Sequence, residues 1–273
     1  MTDETLLRIA VALERLVPEP AVPIDWTAFP AYVWDRGGPR AISGLAAPAL
    51  ALLRGIDAQK QAVAGNVARH ATGQAAHDML LWGARGMGKS ALLRASVAAA
   101  QAGHPGAIAL VQIAPDALGG LAGLFAALGR VSRRFLVYID DLGFEDGDTS
   151  GPRQLRSWLE GGVEARPDNV RLAVTANRRA IVARHLSEQD DPINPRDVVD
   201  DRLALADRFG LSIGFHACNQ DDYLAIIAGY SEEYGLPFEP ADALEWAKRR
   251  GQRSGRVAWH YVTELAGRAG RAL

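Results

Sequence analysis

The chain has 273 residues, of which 48% are hydrophobic, and a formal net charge of −2 at pH 7. This apolar content is sufficient for a large buried core, whereas the near-neutral charge argues against a general attraction to nucleic acid or to an anionic membrane. The single cysteine, Cys218, excludes an intrachain disulfide framework and fits a reducing compartment.

The sequence predicts neither a secretory signal nor a membrane span. Acidic residues precede the first apolar stretch, whereas a secretory signal begins with basic residues. The longest apolar candidate, residues 41–53, is interrupted by Ser43, Gly44 and Pro48 and is shorter than the ~18 residues that a span requires. We therefore expect a cytoplasmic protein with no membrane partner.

Residues 1–54 are predicted to form an N-terminal helix and then an extended arm. Leucine and isoleucine recur at helical spacing from residue 5 to residue 16, and four prolines between residues 18 and 30 end that pattern. The arm carries the aromatic residues Trp26, Phe29, Tyr32 and Trp34. We expect them to pack on the body of the protein, because a base-stacking platform, the alternative, would interleave them with basic residues.

Strand-like and helix-like segments alternate over residues 55–216, which is typical of an α/β domain. The predicted strands are five short apolar runs, at residues 79–82, 107–113, 135–139, 170–175 and 211–215. Helical patterns separate the strands, so we predict a five-stranded parallel sheet with both faces covered. Further helices, at residues 220–234, 240–250 and 255–268, are predicted to form a small helical domain over residues 217–273.

One motif points to the class of ligand. Residues 83–90 match the phosphate-binding P-loop pattern G-x-x-x-x-G-K-[ST] and lie between a predicted strand and a predicted helix. The predicted nucleotide-binding residues are Gly83, Ala84, Arg85, Gly86, Met87, Gly88, Lys89, Ser90 and Ala91. The alternative is a glycine turn without a ligand, and the strand and helix on either side argue against it.

The residue types of this loop suit a phosphate chain. Its glycines let successive backbone N–H groups point inward at an anion, and the helix that begins near Lys89 directs its positive end to the same place. The Lys89 ammonium should reach the outer phosphate oxygens, and Ser90 should ligate Mg²⁺. Basic residues here are mostly arginine, so a lysine at this position suits the role of a compact point charge.

Two carboxylates follow the third predicted strand. Asp140 and Asp141 come directly after the apolar run 135–139, as in a Walker B element. The carboxyl end of this strand should lie beside the P-loop, in the crevice where open α/β sheets bind ligands. We expect Asp140 to orient Mg²⁺ and Asp141 to polarise the attacking water. The alternative is a strand that ends at an acidic turn.

With the next strand, the chain resembles the AAA+ ATPases. That strand ends in Thr175 and Asn177, and the resemblance implies that Asn177, or else Thr175, is the polar sensor near the terminal phosphate. Asp207-Arg208-Phe209 resembles the box in which an arginine finger, here Arg208, reaches the nucleotide of a neighbouring subunit. A guanidinium there would neutralise charge that develops on the transferred group.

Two further matches extend the resemblance. Ser254-Gly255-Arg256 resembles the second sensor of the helical lid, with Arg256 as the candidate and Arg253 as the alternative. The segment around Ile56 resembles the one that packs against adenine. Over residues 55–266 the chain also resembles a prokaryotic family of AAA+-type ATP-binding proteins of unknown function, which implies the fold and the nucleotide chemistry but no biological process.

One position departs from the AAA+ pattern. These enzymes usually carry Glu where this chain has Asp141, and the shorter side chain moves the carboxylate by roughly 1.5 Å, which is enough to slow hydrolysis. Glu145, in the acidic segment that follows, is a second candidate base.

We therefore predict a Mg²⁺-dependent ATPase that assembles as a homo-oligomer, in a ring or partial ring, and couples nucleotide state to a protein or nucleic-acid client. The alternative is a switch or scaffold that binds ATP and hydrolyses it slowly. A small-molecule kinase is disfavoured, because the arginine-bearing helices follow the sheet domain. Five arginines are candidates to line a basic groove or to form surface ion pairs: Arg153, Arg156, Arg166, Arg178 and Arg179.

Overall fold

Over the part of the chain that the structure describes, the fold is built on one seven-stranded, mostly parallel sheet. A computed structural model describes residues 24–143, 155, 157–159, 166–177 and 206–273. The predicted strands are present as β3 (Met79–Gly83), β4 (Ile108–Ile113), β5 (Arg134–Ile139), β6 (Val170–Ala176) and β7 (Leu211–Phe215). They are parallel and adjacent in the order β4-β5-β6-β3-β7. The apolar runs therefore predict these strands to within one residue at either end.

The predicted number of strands is wrong, because the sheet has seven strands and not five. The arm supplies β1 (Ala31–Asp35) and β2 (Gly38–Ile42), an antiparallel hairpin whose first strand pairs in parallel with β4. Tyr32 is only 1% exposed, so β1 is part of the core. Pro39 lies in β2 at the edge of the sheet, where a residue without an N–H group is tolerated. The division at residue 55 stays a prediction, as does the helix at residues 5–16, which lies outside the described residues.

Helices cover both faces of the sheet and divide the core into two layers. One layer packs α1 (Asp57–Ala71) and α2 (Lys89–Gly103) against the sheet, together with the C-terminal helices. The other contains a 3₁₀ segment (Pro115–Gly120) and α3 (Leu121–Leu128). Leu80, Val111 and Val137 face this second layer, whereas their neighbours Leu81 and Leu110 face the first. This alternation is that of a sheet buried on both faces.

Three helices follow the sheet, as the sequence predicts: α4 (Gln220–Tyr234), α5 (Pro240–Arg249) and α6 (Gly255–Arg268). Asn219 caps α4 by accepting a hydrogen bond from the Asp222 N–H, and Ser254 caps α6 by accepting one from the Val257 N–H. Among the helices that the structure describes, none has the length and apolar character needed to cross a bilayer.

At the amino end of the sheet, buried polar side chains donate hydrogen bonds to backbone carbonyl groups. Arg133 is 7% exposed and donates hydrogen bonds to the carbonyl oxygens of Trp26, Phe29 and Ile108, which fixes the arm to β4. Asn169 Nδ2 lies 2.9–3.0 Å from the carbonyl oxygens of Leu128, Val131 and Arg133. These contacts tie the loops at this end of the sheet to one another through backbone carbonyl groups.

Two further groups at this end are shielded from solvent. His70 Nε2 lies 3.0 Å from the Phe135 carbonyl oxygen, and burial lowers the pKa of His70 to about 4. The ring is therefore neutral near pH 7 and donates from Nε2 to the carbonyl. Arg166 pairs with Asp78 at 2.7 Å, with side chains that are 14% and 11% exposed, and Asp78 also accepts from the Leu172 N–H.

Candidate nucleotide site

The P-loop connects β3 to α2 through backbone conformations that only glycine adopts readily. Gly83, Gly86 and Gly88 have φ values of 129°, 76° and 86°. At Gly83 the approach of the neighbouring strand is also close, since a Cβ would lie 2.0 Å from the Phe215 carbonyl oxygen. The same oxygen accepts a hydrogen bond from the Ala84 N–H at 3.0 Å. The end of β7 therefore fixes the start of the loop.

Lys89 points back into the loop. Its side chain is buried, and Nζ donates to the carbonyl oxygens of Gly83 and Ala84 at 2.8 and 2.9 Å. Desolvation lowers the pKa of Lys89, and the nearby Asp141 and Asp140 carboxylates oppose this shift. Because the two carbonyls are weak partners compared with a phosphate, the ammonium is positioned to exchange them for an anion.

Asp140 joins the P-loop to the ends of β5 and β6. Its Oδ1 accepts hydrogen bonds from Ser90 Oγ and Thr175 Oγ1, both at 2.7 Å. Partial burial alone would raise the pKa of Asp140, but hydrogen bonds, that from Thr175 foremost, outweigh it and hold the pKa below its ordinary value. Asp140 is therefore a carboxylate at neutral pH, and its charge lies directly beside the Ser90 hydroxyl.

Asp141 is held in an unusual conformation. Among the described residues it is the only non-glycine with a positive φ, at 51°. Its N–H donates to Thr175 Oγ1 at 2.8 Å, so this one hydroxyl contacts both carboxylate residues. Oδ1 of Asp141 accepts a hydrogen bond from Asn177 Nδ2, and Oδ2 lies 3.9 Å from Arg85 Nη2.

The first turn of α6 rests on the P-loop. The Arg256 N–H donates to the Gly86 carbonyl oxygen at 3.1 Å, and a Cβ at Gly86 would lie 2.9 Å from Ser254 Oγ. The Arg256 side chain is exposed and contributes to the lowered pKa of Lys89. Arg253, the alternative second sensor, is also exposed. The helical segment thus contacts the predicted phosphate site through its backbone and presents a cation there.

Ile56 and Arg208 occupy opposite ends of the sheet domain. Ile56 is 7% exposed, and its Cδ1 lies 3.8 Å from where a Cβ at Gly88 would stand, so it packs beside the P-loop. Arg208 precedes β7, whose first residue pairs with Met79 and whose last pairs with Gly83. Four residue steps of strand, about 13 Å, thus separate that end of β7 from the P-loop. The structure does not bring Arg208 to the site of its own chain.

Several candidate residues cannot be placed at the site. Glu145, Arg153, Arg156, Arg178 and Arg179 lie outside the described residues. Arg166 is described and is an ion-pair partner of Asp78, largely shielded from solvent, so it does not line a basic groove. Of the two alternatives for these arginines, a basic groove or an ion pair, Arg166 therefore forms the ion pair.

Three contacts at the site have little or no signal in the sequence. The Thr175 hydroxyl links Asp140 to Asp141, whereas its position alone suggests only a second choice of sensor. Tyr138 places a buried hydroxyl beside Asp140, two residues earlier on the same face of β5. Arg85 approaches Asp141 from a position that the P-loop pattern leaves open. The two-residue spacing could have indicated Tyr138, but no local pattern indicates Arg85.

Comparison with solved structures defines the class of fold. A variant of RuvB from Thermotoga maritima matches with a TM-score of 0.55 at 18% identity, covering 82% of this chain and 66% of that one. The ORC1 protein of Aeropyrum pernix in complex with DNA gives 0.54 at 17% identity, with the same coverage. This chain thus spans just under two-thirds of the length of either neighbour. At such identities the similarity shows the fold alone, which this chain shares with both proteins.

The family follows from a match along nearly the whole sequence. The family model DUF815, described as a protein of unknown function, matches residues 27–269. The chain therefore belongs to the DUF815 family. No curated protein sequence matches it significantly.

Proposed function

We propose that the protein binds ATP with Mg²⁺ and hydrolyses it as an ATPase of the AAA+ class. The observation that carries this proposal is the chain of hydrogen bonds from Ser90 through Asp140 and Thr175 to Asp141. It joins the P-loop to the ends of two strands and brings a hydroxyl, two carboxylates and the Lys89 ammonium close together. This set of groups suits a metal-bound phosphate chain and an attacking water.

The residues present fit a magnesium ion. Ser90 Oγ and Asp140 Oδ1 are hard oxygen donors 2.7 Å apart, and Mg²⁺ prefers such ligands while it retains several waters. The Tyr138 hydroxyl is buried beside Asp140, close enough to influence its pKa, and it can accept from or donate to a metal-bound water. When bound, the cation would neutralise charge on the phosphate oxygens.

The other side chains have complementary parts in hydrolysis. Lys89 would leave the Gly83 and Ala84 carbonyls for the phosphates, while Arg256 adds a second cation from α6. Asp141 would accept a proton from the attacking water or orient it, and Asn177, which already contacts its Oδ1, would hold it in place. Ile56 would contact the base.

Arg208 is proposed to act on the nucleotide of a neighbouring subunit. Its place at the amino end of β7, away from the P-loop of its own chain, supports this role. Activity would then require assembly of the homo-oligomer, as a ring or partial ring, because a site without the partner's guanidinium lacks one of the cations that neutralise charge developing on the transferred group. The client whose state is coupled to hydrolysis would be a protein or a nucleic acid.

A mixing experiment tests the arrangement. Lys89→Ala removes the phosphate contact and Arg208→Ala removes the finger, so we expect each variant alone to have little turnover. An equimolar mixture should recover a substantial fraction, since sites with an intact Lys89 then face subunits with an intact Arg208. Turnover per subunit of the unmodified protein should also rise with protein concentration.

The control pairs Lys89→Ala with Arg268→Ala, an exposed arginine that pairs with Glu264 on α6. Arg268→Ala should be fully active alone. Its mixture with Lys89→Ala should show no more turnover than the two variants give separately. If Arg208→Ala retains full turnover at every concentration, the finger in trans is wrong, although the site itself is untouched by that result.

The second candidate function is a nucleotide-gated switch that hydrolyses ATP slowly. The observation that favours it is Asp141, which is one methylene shorter than the usual Glu and has both carboxylate oxygens engaged. Single-turnover measurements separate the two functions. Tight ATP binding with a flat, near-zero rate at all protein concentrations supports the switch, and multiple turnovers at the typical enzyme scale of about 1 per second or more exclude it.

A further inference from the structure

Arg85 contributes a cation that the P-loop pattern does not require. It is the third residue of the loop, and its side chain is 72% exposed. Its Nη2 lies 3.9 Å from Oδ2 of Asp141, whose side chain is 60% exposed. An exposed pair at this distance is weak. The contact therefore joins the loop that would hold the phosphates to the carboxylate that would act on water. Little free energy is needed to separate Arg85 from Asp141.

Each carboxylate oxygen of Asp141 faces a different neighbour. Asn177 Nδ2 donates to Oδ1, and the Arg85 guanidinium faces Oδ2. The backbone of Asp141 is fixed as well, because its N–H donates to Thr175 Oγ1. The cation beside Oδ2 competes with an attacking water for that oxygen. Departure of Arg85 would therefore give the water better access to Oδ2.

The charges around Arg85 favour its transfer to a phosphate. Lys89 and Arg256 are further cations at the cleft, and Asp140 and Asp141 are its carboxylates. A triphosphate carries several negative charges, and a guanidinium forms a two-pronged contact with a phosphate as readily as with a carboxylate. The terminal phosphate would therefore displace Asp141 from Arg85.

We propose that Arg85 is a positioning residue that exchanges Asp141 for the terminal phosphate of ATP, so that Oδ2 of Asp141 is released when that phosphate binds. This inference rests on the proposed function of the site. It predicts discrimination between ATP and ADP by a residue outside the fixed positions of the P-loop pattern. Arg85→Ala should weaken binding of the non-hydrolysable analogue AMP-PNP about tenfold and that of ADP less than about twofold.

The sharper test is a double-mutant cycle of Arg85→Ala and Asp141→Asn, read out as AMP-PNP affinity with Mg²⁺. Asp141→Asn removes the charge that holds Arg85 and leaves an oxygen for Asn177. If Arg85 moves to the phosphate, Asp141→Asn should tighten binding more when Arg85 is present, by about three- to tenfold. If Arg85 stays on Asp141 and only screens it, the carboxylate repels the phosphates more when Arg85 is absent, and the coupling has the opposite sign.

Three further measurements complete the test. Arg85→Lys should recover part of the AMP-PNP affinity, because it keeps the charge and loses the fork. In ATP turnover, Arg85→Ala should raise KM about tenfold and change kcat less than about threefold. The matched control is the pair Arg36 and Asp116, which is similarly exposed and 3.0 Å apart. The cycle of Arg36→Ala and Asp116→Asn should show no coupling to AMP-PNP affinity.

The outcomes separate the two proposals. Zero coupling, or coupling of opposite sign, in a protein that binds AMP-PNP and hydrolyses ATP overturns the exchange by Arg85 and leaves the proposed function standing. An unmodified protein that binds neither AMP-PNP nor ADP overturns the proposed function, and the exchange with it.

Discussion

The two ends of the sheet treat polar side chains in opposite ways. At the amino end, Arg133 and Asn169 are fixed by hydrogen bonds to several carbonyl oxygens each. At the carboxyl end, Lys89 and Arg85 make contacts that an anion can replace. The first kind of contact is costly to break because it leaves buried polar groups with fewer hydrogen-bond partners. The comparison indicates that one end carries stability and the other is prepared for exchange.

The largest effect on stability should come from Arg133→Met. The substitution keeps the side-chain volume but removes the side-chain donor for the Trp26 and Phe29 carbonyls. The Ile108 carbonyl keeps its second donor, Gln101. We expect the free energy of unfolding to fall by about 3–5 kcal/mol. Urea unfolding monitored by circular dichroism measures it. Arg130→Met, at an exposed position nearby, should cost less than about 0.5 kcal/mol. Equal losses of unfolding free energy from the two variants would mean that the hydrogen bonds of Arg133 do not stabilise the amino end of the sheet.

The next effect is a dependence on pH that resides in His70. Its pKa is about 4 in the folded protein and about 6.5 when unfolded, so the unfolded state binds the proton more readily. The free energy of unfolding is not reduced by this residue above pH 6.5. It should fall as the pH drops toward 4, by a total of about 3 kcal/mol. His70→Gln keeps a donor for the Phe135 carbonyl and does not titrate. Its stability should fall less than that of the unmodified protein between pH 7 and 4.5, and parallel losses would contradict the assignment.

At the carboxyl end, Thr175→Val should affect chemistry more than stability. The substitution preserves shape and removes the hydroxyl that bonds Asp140 and the Asp141 N–H, so ATP turnover should fall about 10- to 100-fold, whereas stability should fall by only about 1 kcal/mol. Steady-state turnover and urea unfolding measure the two effects. Thr263→Val, on the exposed surface of α6, provides the control and should leave turnover unchanged. Full turnover in Thr175→Val would mean that the hydroxyl does not organise the carboxylates.

The smallest effect distinguishes two helix caps. Ser254→Ala and Asn219→Ala each remove a side chain that caps a C-terminal helix, and each should cost about 1 kcal/mol in unfolding free energy. Only Ser254 contacts the P-loop, at the Gly86 position. Calorimetric titration with AMP-PNP should therefore show a loss of affinity, of about two- to fivefold, for Ser254→Ala alone. Identical AMP-PNP affinities of the two variants would mean that the Ser254 cap does not contribute to nucleotide binding.

The sequence predicts most of the sheet well and one of its edges poorly. Each of the strands β3 to β6 is a short apolar run, because each is largely buried on both faces. The hairpin of β1 and β2 lies among prolines, and its first strand joins β4, which is distant in sequence, so no local pattern indicates that pairing. The predicted number of strands is therefore wrong because of this long-range pairing. The spacing of apolar residues is not misinterpreted.

At the site, fixed spacing makes some residues predictable and others not. The P-loop pattern singles out Lys89 and Ser90, and the end of an apolar strand singles out Asp140 and Asp141. Their neighbourhood in space follows from sheet topology. Arg85 occupies a variable position of the pattern, and its approach to Asp141 depends on the conformations of two separate loops.

The burial of Lys89 has a practical consequence for chemical labelling. The chain contains only three lysines, Lys60, Lys89 and Lys248. Burial lowers the pKa of Lys89, so a larger share of this amine is neutral and nucleophilic. A nucleotide seated on the loop would cover it. Acylation of a single lysine-containing peptide would then report occupancy of the site directly in unfractionated extracts, with the other two lysines as internal standards.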